Sequence, residues 1–192
     1  MNTNNLDKII YKTCKHLQSG GVILYPTDTV WGIGCDATNE AAIKKIYSLK
    51  KRSEEKGLIV LMSSKKMLDN YINDMPSIAS ELLKNNNEPT TIIYKNPVNL
   101  PKLLIHQNSI AVRLVGKCFI HELIKKFNKP ITSTSANISG YETPKKFSDI
   151  SSDIKKNMDY IVPEVESNID SNKKPSKIIK LIDNFNFEII RN

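Results

Sequence analysis

The stretch "YPTDTVWGIGCD", Tyr25 to Asp36, follows the apolar run Val22-Ile23-Leu24 and holds Pro26, two threonines, two glycines and the chain's single tryptophan. Pro26 lacks an N–H, and Gly32 and Gly34 suit backbone angles that other residues avoid, so this composition predicts that a strand ends here in a turn. On its N-terminal side, Leu6, Ile9, Ile10, Cys14 and Leu17 recur at helical spacing, and Gly20-Gly21 provides a stop. On its C-terminal side, Asn39 caps a predicted helix through "EAAIKKIYSLKK", with Ala42, Ile43, Ile46 and Leu49 as its buried stripe. That helix leads into "GLIVLM", which reads as a buried strand.

Further along, helices are expected at about residues 65–72 and 77–85, then strands at "TTIIYK" and "SIAVRLV". The alternation of the latter puts Ile110, Val112 and Leu114 on one face. Helix "CFIHELIKKFN" follows, and "KPITSTSANISG" begins as a strand before dissolving into small polar residues. One weak helix is expected within residues 140–157, and "YIVPE", "SKIIKLI" and "FEIIR" close the chain as strands. The pattern predicts one α/β domain over residues 1–192, and because full helices do not separate the late strands, its sheet should be mixed.

At 192 residues and 40% hydrophobic content, the chain can bury one sizeable core. Its 28 lysines and arginines outnumber 20 acidic residues, a net +8 that suits nucleotides, RNA or an acidic surface and equally describes a basic solvated exterior. Cys14, Cys35 and Cys118 lie far apart, with no CxxC pair or nearby His spacing for a metal, so reduced thiols in a cytoplasmic protein are expected. No apolar run approaches the roughly 18 residues of a membrane span, and "MNTNNLDK" is not a secretory signal. Without an export signal, the glycosylation triplet Asn137-Ile138-Ser139 needs another explanation. His16, His106 and His121 stand in no motif and read as structural.

Two segments could carry chemistry. In "LKKRSEEKGLIV", the cations Lys50, Lys51, Arg52 and Lys56 cluster where a helix gives way to a strand; they suit a solvated helix end or a phosphate clamp. In "STSANISG", hydroxyls and an amide follow a strand end, which suits a polar turn or a nucleotide contact. Neither GxxxxGK[ST] nor GxGxxG occurs, which excludes the ordinary phosphate-loop and dinucleotide readings.

In this order, "YPTDTVWGIGCD", "LKKRSEEKGLIVL" and "KPITSTSANISG" resemble the characteristic segments of the YrdC-like threonylcarbamoyl-AMP synthase family. "PTT" at Pro89–Thr91, "SIAVRL", "PSKIIKL" and "FEIIRN" extend the resemblance from about Gly20 to Arg191. It implies a twisted mixed sheet flanked by helices, with an open basic cleft, in the short single-domain form. It also implies formation of threonylcarbamoyl-AMP and pyrophosphate from L-threonine, bicarbonate or carbon dioxide, and ATP. That product would be handed to the tRNA threonylcarbamoyl-transferase complex for modification of adenosine 37 in tRNAs reading codons that begin with A.

Carried over by resemblance, Lys50, Arg52 and Lys56 contact ATP phosphates, with Arg52 and Lys56 catalytic, while Ser135 and Asn137 contact the nucleotide. Ser109, Thr143 and Arg191 match further ATP contacts; Thr29, Arg113, Ser133 and Ser176 match the threonine site. Ser53 replaces a frequent Pro, and Leu61 stands where some members place a His. Magnesium is expected to arrive with the nucleotide, and the protein itself is expected to supply no metal ligands. The implied mechanism is electrostatic: threonine's amine forms a carbamate, which attacks the α-phosphorus. Two rivals keep the fold, an RNA-binding protein suggested by the net charge and a paralogue that adenylates another carbamate.

Overall fold

A computed structural model describes residues 3–27, 29–84, 88–164 and 175–192. The chain opens with helix α1, Thr3–Gln18, which buries Ile9, Ile10, Cys14 and Leu17. It stops where Gly20 takes a φ of +74°, open to glycine at little cost. Strand β1, Ile23–Tyr25, runs into the opening stretch, which is more than a turn: Gly32–Gly34 forms β2, antiparallel to β1. Its glycines serve close packing. A Cβ on Gly34 would lie 2.1 Å from the Thr132 carbonyl oxygen and 2.9 Å from the Tyr25 ring.

Helix α2, Glu40–Leu49, starts as expected, with the Asn39 side-chain oxygen accepting from the Ala42 N–H at 3.0 Å, and buries Ala42, Ile43, Ile46 and Tyr47. Strand β3 is Ile59–Met62. Helix α3, Lys65–Leu68, is shorter than the expected 65–72, because Tyr71 accepts from the Val98 N–H and Ile72 bridges to Pro97. Helix α4 is Ser77–Lys84; Asn85, included in the sequence expectation, lies outside the described residues.

Strands β4, Thr90–Lys95, and β5, Ser109–Leu114, precede α5, Phe119–Phe127. Strand β6, Ile131–Ser135, leads through helix α6, Ser152–Lys156, to β7, Tyr160–Ile161. Strands β8, Lys177–Leu181, and β9, Phe187–Arg191, follow.

Among the described residues these strands form one sheet in the order β7-β1-β2-β6-β3-β5-β4-β8-β9. β1–β7, β3–β5 and β4–β8 pair parallel and the other neighbours antiparallel, so the sheet is mixed as expected. One core includes α2 with Trp31, Ile33, Val60, Ile92 and Val112; the other includes α1 and α5 with Ile23, Tyr25, Leu61 and Ile131. Leu61 pairs with Arg113, and Ile59 with Ser133, so these side chains share the sheet face of the second core. Among the described residues no helix is long and apolar enough to cross a membrane.

Candidate active site

On that face the sheet opens into a cavity of about 200 Å³. Its walls bring together Thr29, Arg52, Arg113, Ser133, Ser135, Thr143, Ser176 and Arg191 from the residues singled out in the sequence. Thr27, Val30, Gly32, Gly57, Ile59, Leu61, Thr134 and Pro175 complete the described lining. Arg52, Arg113 and Arg191 are the cations there, and no described lining residue is Asp, Glu or His.

Each wall is built locally. Thr27 organises the bend after β1: its hydroxyl donates to the Val30 carbonyl at 2.7 Å and lies 3.0 Å from the Thr29 hydroxyl. It also accepts from the Thr29 and Val30 N–H groups. Thr29 is thereby fixed, and Arg113, only 5% exposed, donates from Nη1 to its hydroxyl at 3.4 Å. Thr27 is not among the residues singled out in the sequence; its signal there is the Thr-x-Thr pair directly after Pro26, since short hydroxyl side chains bond nearby backbone in such bends.

Arg52 is half-buried against its own loop, donating from Nε to the Lys56 carbonyl at 2.6 Å and from Nη2 to the Gly57 carbonyl at 2.9 Å. Burial lowers its pKa from the usual value. Across the cavity, Arg191 reaches back from β9 to the Ser176 carbonyl, from Nε at 3.1 Å and Nη2 at 2.7 Å. Burial lowers its pKa too, and the Arg113 charge adds to the effect. The Ser176 hydroxyl bonds that of Thr91 at 2.8 Å, which ties the β8 entry to β4.

The other singled-out residues do not line the cavity. Lys50 is 1% exposed, and its ammonium donates to the carbonyls of Ser135 and Asn137. Burial, and secondarily the Arg52 charge, pushes its pKa down to about 7. The resemblance implies a phosphate contact for Lys50; in this structure its side chain is turned inward onto backbone carbonyls. Lys56 is exposed outside the lining, and its carbonyl rather than its ammonium holds Arg52. Ser109 donates to the His106 carbonyl at 2.7 Å. Asn137 accepts from the Ser135 hydroxyl and donates to the Tyr141 carbonyl at 2.6 Å, which closes the turn after β6.

Asp36, at the end of the opening stretch, is structural: it accepts from the Thr38 N–H at 2.8 Å and from Lys129 at 2.9 Å. The histidines stand outside the lining: His16 stacks on Tyr160, His106 packs on Gly57, and His121 pairs with Glu122. Among the described residues no cluster of His, Cys, Asp and Glu could hold a metal ion. The donor set is one for anions: guanidinium groups that present paired N–H donors, beside hydroxyls that give or accept.

The family model Sua5/YciO/YrdC, described as telomere recombination, matches residues 15–192. The threonylcarbamoyl-AMP synthase of Pseudoalteromonas translucida is 34% identical over 170 residues, which cover 86% of this chain and 88% of the relative. The crystal structure of P. abyssi Sua5 complexed with L-threonine superposes with a TM-score of 0.85 at 26% identity, covering 95% of this chain. The match takes in 53% of that longer chain, so the present chain spans about half its length. E. coli YciO shares the fold at 24% identity, with a TM-score of 0.81 over 96% of this chain and 89% of its own. With the match running from α1 through the last strand and every described wall of the cavity inside it, the chain belongs to the Sua5/YciO/YrdC family.

Proposed function

We propose that the chain is an L-threonylcarbamoyladenylate synthase, which joins L-threonine, bicarbonate or carbon dioxide, and ATP into threonylcarbamoyl-AMP and pyrophosphate. The observation that carries the reading is the convergence of Arg52, Arg113 and Arg191 with the hydroxyls of Thr29, Ser133, Ser135 and Ser176 in one cavity whose described lining has no carboxylate. Such a site suits reactants that are all anionic at the reacting end: an amino-acid carboxylate, a carbamate and a polyphosphate. The relatives' name and the threonine-bound Sua5 structure support the choice of amino acid.

In this reading Arg113 holds the threonine carboxylate beside Thr29 and Ser133. The threonine nitrogen bonds to the carbon of carbon dioxide as one C=O π pair moves onto oxygen, and the nitrogen's proton passes to water, leaving a carbamate. A carbamate oxygen then bonds to the α-phosphorus as the bond to the bridging oxygen breaks, and pyrophosphate leaves with that electron pair. Arg52 and Arg191, from opposite walls, offset charge growing on the phosphates, while the enclosing walls hold the reactants together and lower the entropic barrier. A magnesium ion carried by the triphosphate would neutralise part of its charge, with Arg52 and Arg191 holding the phosphates beside it.

The product is suited to hand-over to a tRNA threonylcarbamoyl-transferase complex for modification at position 37, in the cytoplasm where tRNA is handled. The experiment is pyrophosphate release with ATP and bicarbonate, supplying threonine, serine, valine or no amino acid. Release with threonine, less with serine and little with valine supports the reading. Equal rates with threonine and valine point to another carbamate, and no release with salt-sensitive RNA binding points to an RNA-binding protein.

A further inference from the structure

Lys50 sits at the end of α2, with its own N–H bonded to the Ile46 carbonyl at 3.0 Å. From that fixed base it makes three ties to one turn: Nζ donates to the Ser135 and Asn137 carbonyls, and its backbone carbonyl accepts from the Ser139 N–H at 3.0 Å. Ser135 still pairs with Gly32 of β2, but the pairing of β6 with β3 ends at Ser133 and Asn137 lies beyond both ladders, so these two carbonyls take a donor from outside the sheet. Asn137 braces the same turn internally through the Ser135 hydroxyl and the Tyr141 carbonyl. Ser135 then lines the cavity, and Lys50 does not.

Resting on the synthase reading for its kinetic part, we propose that Lys50 is a positioning residue that ties the 135–139 turn to the end of α2 and so sets the Ser135 wall of the cavity, without touching the ligand. The chemistry of the contact fits this role. With its pKa pushed down to about 7 by burial, Lys50 is a poor fixed counter-charge for phosphate. An amine that has lost its proton still has two N–H groups, enough for the two carbonyls. Arg52 and Arg191, which do reach the cavity, keep their charge throughout.

The test is Lys50→Met. In ligand-free hydrogen exchange, the amides of residues 136–141 should exchange at least about 10-fold faster while those of β3 and β5 keep wild-type protection. In pyrophosphate release, the KM for ATP should rise about 10-fold or more with kcat within about threefold. Combined with Ser135→Ala, it should cost no more than about twofold beyond the worse single variant, because both act through one wall. Unchanged exchange overturns the proposal, as does a double variant whose losses multiply, the mark of independent ligand contact. If Lys50→Met does not fold, Lys50→Gln, which retains a donor, takes its place; failure of both overturns the proposal, since the residue would then support the whole fold. If the wild-type protein releases no pyrophosphate, the synthase reading fails separately and the exchange result alone decides.

Discussion

Gly34→Ala should destabilise the centre of the sheet. The added methyl carbon would sit 2.1 Å from the Thr132 carbonyl oxygen, and that neighbour is backbone. Ordinary non-bonded contact needs about 3.2 Å or more, so β2 and β6 must part locally by about 1 Å. Overpacking of this kind costs about 1–3 kcal/mol. The shift also strains the bonds from Cys35 N–H to the Thr132 hydroxyl at 3.0 Å and from Thr132 N–H to the Cys35 carbonyl at 2.9 Å, worth about 1 kcal/mol each. A loss of about 3–5 kcal/mol in a domain of this size lowers Tm on the order of 10 °C. Gly32→Ala is the control: its methyl would lie 3.2 Å from the Thr27 methyl, 3.2 Å from the Tyr25 ring and 3.4 Å from the Ser133 hydroxyl. Those side chains can yield by tenths of an ångström, so Tm should fall only about 2–4 °C, about 1 kcal/mol, while the methyl fills the cavity floor and slows pyrophosphate release. Circular-dichroism melts of the two variants decide it. A Gly34→Ala melt within 2 °C of wild type, or a larger fall for Gly32→Ala, refutes the packing argument.

Arg52→Ala should lower pyrophosphate release roughly 30- to 1000-fold with the melt little changed, whereas Lys56→Ala, outside the cavity, should stay within about threefold; near-equal losses would place both on the ligand. Arg113→Gln should raise the KM for threonine more than that for ATP, and the reverse split would move the amino-acid site elsewhere. The folded-state pKa of Lys50, lowered from 10.5 to about 7, means that the unfolded chain holds the extra proton between those values, so stability rises with pH there. The burden of the buried ammonium is fully present below pH 7, and the Tm of wild type relative to Lys50→Met should improve between pH 7 and 9.5. A constant difference would show that Lys50 does not titrate in that window.

Most of the fold is readable from local pattern. The α1 and α2 stripes, the Asn39 cap and strands β3, β4 and β5 follow from periodicity that burial then satisfies. β2 was not readable, because Gly-Ile-Gly has no strand propensity of its own; its partners in β6 lie about a hundred residues away and supply the reason for its conformation. The cavity residues were reached through resemblance to a family. What the sequence could not say was which member of the Lys50-Lys51-Arg52 run faces inward. Helix geometry decides that. Lys50 caps α2, Lys51 takes a φ of +48°, and Arg52 folds back to the Tyr47 carbonyl, so adjacent cations point to different surroundings. Asn137, expected on the nucleotide, closes the turn after β6 in this structure, which is the polar turn that "STSANISG" also allowed.

The strand order has a kinetic consequence. β1 lies between β2 and β7, β6 between β2 and β3, and β4 between β5 and β8, so the sheet closes through pairings between residues far apart in the chain. Loops of that length are costly to close before any contact rewards them, which places this domain among slow folders. The cavity draws its walls from Thr29, Arg52, Arg113, Ser135, Ser176 and Arg191, one from nearly every region, so no early intermediate can hold it. A ligand of this cavity would recognise only the finished molecule: added during refolding it should leave the folding rate unchanged and slow unfolding alone.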